Sequence, residues 1–75
     1  MTEATGVTRH EWIAGFAARL GVEPPSPETV EVLLALAGTA AHASERTAAP
    51  IACYLVGQAG IDPAEAARLA ESSST

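Results

Sequence analysis

Residues 26–43 read Ser-Pro-Glu-Thr-Val-Glu-Val-Leu-Leu-Ala-Leu-Ala-Gly-Thr-Ala-Ala-His-Ala, and this stretch decides the fold. Ser26 has a side-chain oxygen that can accept an orphan amide of a first helical turn. Pro27 then falls at the first helical position, where its missing N–H costs nothing, and Glu28 meets the positive end of the helix dipole. Val30, Leu33, Leu34, Ala37 and Ala41 recur at helical spacing and mark a buried face. The pattern predicts a helix from about 26 to about 43.

The flanking sequence carries the same kind of punctuation. Upstream, Thr8 and Glu11 have capping-box spacing, Trp12, Ile13, Phe16, Ala17 and Leu20 form one apolar stripe, and Gly21 can supply a left-handed stop. That predicts a first helix over 9–20, joined to the next by the stiff connector Val22-Glu23-Pro24-Pro25. Downstream, Pro50 cannot stand inside a helix, so a break precedes it. If Thr47 caps a new helix, Pro50 falls in its first turn, where amides have no intrahelical partner. Ile51, Tyr54, Leu55 and Gln58 follow on one side, and Gly60 ends this third helix. Asp62, Pro63 and Glu65 repeat the start signature and predict a fourth, short helix to about Glu71.

With no strand-like alternation and no internal repeat, and with short links that favour antiparallel neighbours, the expectation is all-α: a compact bundle of about four short helices. The bundle is one domain over 8–71, with 1–7 and the tail 72–75 expected to be disordered, since Ser-Ser-Ser-Thr has nothing to bury. A chain of 75 residues supports a single core. The large apolar side chains expected to fill it are Trp12, Ile13, Phe16, Leu20, Val30, Leu33, Leu34, Leu36, Ile51, Tyr54, Leu55, Val56, Ile61 and Leu69, with alanines between them.

Composition excludes several classes of function. The formal net charge is -5, the basic residues are all Arg, and none cluster, so the footprint of a nucleic-acid binder is missing. A helix-turn-helix reader fits the helix count but not the charge. No apolar run reaches the roughly 20 residues of a membrane span, and the polar start lacks a basic region followed by an apolar one, so the expected location is cytoplasmic. Cys53 is the only cysteine, which rules out an internal disulfide.

Few residues suggest chemistry. His42 and Arg46, four apart, have three readings. They can be cations favoured at a helix C-terminus, a polar patch with Pro50 that grips a carboxylate or phosphate, or a lock in which Arg46 bonds exposed carbonyls at the chain break. Cys53 reads as a small buried hydrophobe, because a nucleophile needs a base beside it. The spacings among His10, His42 and Cys53 match no local zinc pattern, so no metal and no cofactor is expected. The carboxylates lie in helix starts, a linker or exposed faces and offer no paired acid and base. Trp12 reads as a core anchor. Gly57 costs about 1 kcal/mol relative to Ala inside a helix, so something is expected to approach it closely, either another helix of the bundle or a partner protein near Tyr54.

The order Trp12, Phe16, Leu20-Gly21, Leu33-Leu34, Leu36-Ala37, His42, Arg46, Ala49-Pro50 and Tyr54-Leu55-Val56-Gly57 resembles a family. This is the small uncharacterised helical domain of high-GC bacteria that occurs alone or behind molybdenum-cofactor guanylyltransferase domains, sometimes encoded near formate dehydrogenase maturation genes. The likeness covers about residues 9–70. Its most specific part is the run His42, Arg46, Ala49, Pro50, Tyr54, Leu55 and Gly57. The resemblance implies a link to molybdenum cofactor synthesis or molybdoenzyme assembly and supplies no catalytic residues. The transferase itself needs a glycine-rich phosphate loop and acidic metal ligands on an α/β sheet, which do not fit in this chain. The expected role is a non-catalytic accessory or protein-interaction module, with the guanylyltransferase or a molybdoenzyme as partner, no nucleic acid and no membrane. Self-association is left open by the thin supply of large side chains. The rival role is an anionic-ligand or nucleotide binder that uses His42 and Arg46.

Overall fold

A computed structural model of the chain describes residues 7–73. It contains four α-helices: α1 (Arg9–Leu20), α2 (Pro27–Ala43), α3 (Ala48–Ala59) and α4 (Pro63–Ser73). The described residues form no strand. The fold is all-α.

The expected stops and starts are in place. Thr8 and Glu11 form a reciprocal capping box: the Glu11 amide donates to Thr8 Oγ1 at 3.0 Å, and the Thr8 amide donates to Glu11 Oε1 at 3.1 Å. Gly21 closes α1 with φ of 79°, a left-handed conformation that costs a side-chain-bearing residue strain. The Val22 amide reaches back to the Ala17 carbonyl and the Gly21 amide to that of Ala18, the paired bonds of a Schellman stop. Ser26 accepts from the Thr29 amide at 3.1 Å, with Pro27 opening α2. Asp62 Oδ2 accepts from the Ala64 amide at 3.1 Å and starts α4.

Two boundaries differ in detail. Thr47 stands at the start of α3, but its side chain makes no capping bond there. Its hydroxyl faces Glu45 at 3.5 Å instead. The preceding Glu45–Arg46 turn supplies carbonyls to the amides of Ala48 and Ala49, and Pro50, in the first turn, has no amide to satisfy. At the other end α4 runs to Ser73 rather than stopping near Glu71. No glycine or proline follows Glu71 to break the helix. Of the two segments expected to be disordered, 1–6 and 74–75 lie outside the described residues.

Helix α2 is the centre of the packing: α3 and α4 both lie along it, while α1 touches the other helices only sparsely. The result measures 43 × 25 × 18 Å along its principal axes. Among the described residues Leu36, at 2% exposure, is the best-buried large side chain, and only Ala17 and Ala66 join it as buried apolar residues. α1 is tied to α2 by an exposed ion pair, Arg9 to Glu31 at 3.9 Å. Ile13 and Val30 share a small cavity of about 130 Å³ with Pro24 and Pro25 of the connector and Pro27 of α2.

The expected core is therefore corrected. Trp12, Phe16, Leu20, Leu34, Ile51, Tyr54, Leu55, Ile61 and Leu69 are all exposed. On α3 the side that meets the bundle carries the half-buried Ala49, Ala52, Cys53 and Val56, whereas Ile51, Tyr54, Leu55 and Gln58 face outward. Small side chains let α2 and α3 approach closely, and the larger ones are then left on the far side.

Candidate functional site

His42 stands in the last turn of α2, Arg46 in the turn between α2 and α3, and Pro50 in the first turn of α3. All three are exposed, and none lines any of the cavities described for the molecule. α2 ends at Ala43, and Ser44 leaves helical geometry with φ of -141° and ψ of -102°. His42 and Arg46 therefore do not share a helix face. His42 lies in the last turn of α2, where a cation meets the negative end of the dipole. Among the described residues, no group of three His, Cys, Asp or Glu side chains stands together as metal ligands would. Cys53 is half-buried on the bundle side of α3.

What the fold does assemble is apolar surface. Trp12 and Phe16, one turn apart on α1, stack with ring centroids 5.0 Å apart and an interplanar angle of 30°, yet remain 60% and 48% exposed. Leu20 continues the same stripe one turn further on and is likewise exposed. The reading of Trp12 as a core anchor is thus corrected: its helix buries Ala17 and half-buries Ile13 and Ala14 on the opposite edge.

Helix α3 is the more unusual element. Ala48–Ala59 contains no Asp, Glu, Lys, Arg or His, yet half its circumference faces outward. A helix that is apolar all round is ordinarily buried all round. Here Tyr54 is 66% exposed and Ile51 60%, with Leu55 beside them. Pro50, Tyr54 and Gly57 follow one another at spacings of four and three and so lie along one side of this outward surface. Gly57 has nothing within 4 Å of the position a Cβ would occupy. No other part of the described bundle approaches this glycine closely, so the expectation of a close contact from another helix of the bundle is corrected.

Between α3 and α4 runs a trough of about 300 Å³, floored by Leu36 and Ala66 and walled by Ala52, Leu55, Val56, Ala59, Ile61, Leu69 and Ala70. It shares Ala52 and Leu55 with a wider hollow of about 510 Å³ at the α2–α3 turn, where Ile51 is joined by Ser44, Glu45 and Thr47. The sequence reading missed this surface because it assigned every large apolar residue to the core. The signal that could have found it is the absence of charge around the whole of α3.

Taken together, these features define a class: a small all-α module built around one central helix, with apolar faces left uncovered on its outer helices. The chain belongs to the family described as domain of unknown function (DUF6457), whose profile matches residues 4–74. No curated protein and no solved structure matches it. No helix among the described residues is long and apolar enough to cross a membrane.

Proposed function

We propose that the protein is a non-catalytic interaction module that docks on another protein through the outward face of α3. The observation that carries this reading is the uncharged α3 with Tyr54, 66% exposed, standing between Pro50 and Gly57 on its outward side. Contiguous apolar surface of this kind is characteristic of protein contacts, and an exposed Tyr beside a glycine gives a large rigid anchor next to space for a partner backbone. Pro50 and Gly57 belong to this surface by position. Arg46, just before the start of α3, is placed to act as a rim cation, which affects the rate and salt dependence of association more than its strength.

The resemblance of the His42, Arg46, Ala49, Pro50, Tyr54, Leu55 and Gly57 run says where to seek the partner. It points to molybdenum cofactor biosynthesis or the assembly of a formate dehydrogenase-type molybdoenzyme, in the cytoplasm of a high-GC bacterium, with a molybdenum-cofactor guanylyltransferase as the first candidate. The test is pull-down of purified guanylyltransferase and of molybdoenzyme by the tagged chain, beside a Tyr54→Glu variant. Retention of either protein by the wild type and its loss in the variant is the expected result. Equal retention by both chains overturns the assignment of the α3 face, and retention by neither overturns the molybdenum link.

A further inference from the structure

We propose that the trough between α3 and α4 is the seat of α1 from a second copy of this chain. The protein is then a two-fold dimer in which Trp12, Phe16 and Leu20 of each protomer lie against Leu55, Ile61 and Leu69 of the other. This inference goes beyond the docking of a partner on the Pro50, Tyr54 and Gly57 side of α3 and does not depend on it.

Three observations favour a second copy over an unrelated protein. The first is fit. The stripe from Trp12 to Leu20 is about 12 Å long at 1.5 Å per residue, and the α3 wall of the trough, from Ala52 to Ala59, is of similar length at about 10 Å. Gly15, beside the aromatic pair, has nothing within 4 Å of its missing Cβ and allows α1 to lie close against a neighbouring helix.

The second is charge. In a chain of net charge -5, α1 is the one helix with more basic than acidic residues, Arg9 and Arg19 against Glu11; with Arg9 paired to Glu31, Arg19 is the charge it offers to a second copy. The hollow that continues the trough carries Glu45 and no basic residue. A basic amphipathic helix and an acidic-ended apolar trough are complementary, and both are present in every copy, so a two-fold arrangement makes the contact twice and leaves neither patch uncovered.

The third is area. Two aromatic rings of about 150–250 Å² each, roughly half exposed, offer about 200 Å² per stripe. That is a quarter of the about 800 Å² per partner of a standard interface, before Leu20 and the trough walls contribute on both sides. A molecule whose buried apolar residues, among those described, are Ala17, Leu36 and Ala66 gains apolar burial this way.

The experiment is sedimentation velocity on the full chain from micromolar to several hundred micromolar, with Trp12 emission recorded over the same range. The expected result is a species of twice the 7.6 kDa chain mass, and an emission maximum that moves to shorter wavelength as the dimer forms, since Trp12 is the only tryptophan. Phe16→Glu and Leu69→Glu, both at exposed positions, should each weaken self-association by at least about tenfold, because each places a charge in an apolar contact. Mixing the two variants restores association, since the mixed pair keeps one intact stripe on one intact trough.

A wild-type chain that stays monomeric throughout overturns the proposal, whatever the variants do. So does a Phe16→Glu chain that dimerises like the wild type, which would mean that trough meets trough. Tyr54→Glu, in contrast, should leave the dimer unchanged, so loss of partner retention and loss of self-association report on separate surfaces.

Discussion

At the scale of single residues, burial and the number of neighbours decide what a substitution does. Leu36 sits between α2's two packing partners at 2% exposure, so Leu36→Ala should destabilise the fold by about 2–5 kcal/mol, measured by chemical denaturation. Thr8→Ala removes one half of a capping box and should cost about 1 kcal/mol in the same assay. Gly57→Ala should act in the opposite direction. Nothing surrounds the new methyl, so the isolated chain gains up to about 1 kcal/mol of helix stability, while retention of the partner falls because the methyl occupies the space the partner needs. A stability gain with undiminished retention would remove Gly57 from the interface. Arg46→Ala, at an exposed position without an ion pair among the described residues, should shift stability by no more than about 0.5 kcal/mol. A larger fall would instead support the reading of Arg46 as a lock on the α2–α3 break.

At the scale of elements, α1 and α3 differ in what holds them. α3 and α4 are fixed by their seams with α2, whereas α1 relies on its capping box, its glycine stop, the Arg9–Glu31 pair and the proline connector. An exposed ion pair at 3.9 Å contributes at most about 1 kcal/mol, so α1 is the element most easily released. Hydrogen exchange should show α1 amides opening well before those of α2, and protection of α1 should rise with protein concentration if it is seated on a second copy. The α3 helix owes its place to small residues. Ala49 and Ala52 on its inner side permit close approach to α2, and enlarging either to Leu should push α3 outward and lower thermal stability.

At the scale of the whole molecule, the three buried apolar residues among those described, Ala17, Leu36 and Ala66, make a thin core for a chain of this length. Small domains stand near the limit of independent stability, and a second copy or a partner adds the apolar burial that one chain lacks. The melting temperature should therefore rise with protein concentration, as it must when only the folded state associates. A melting temperature independent of concentration over two decades would show that the single chain is sufficient.

The sequence by itself determined the four helices and most of their ends, the end of α4 at Ser73 apart. Capping boxes, prolines at first turns and glycines at stops act through bonds to residues a few positions away, so Thr8–Glu11, Ser26–Pro27, Gly21, Gly60 and Asp62–Pro63 are readable without knowledge of the fold. Only the tertiary structure decided which face of each helix is inside. Periodicity shows that Ile51, Tyr54 and Leu55 share a side of α3, as Trp12, Phe16 and Leu20 share a side of α1, but it does not say whether that side meets the chain's own core. The choice depends on which faces can approach α2 most closely, and there the small Ala49, Ala52 and Cys53 took the inner position. The large side chains were left outside, where burying them requires another molecule.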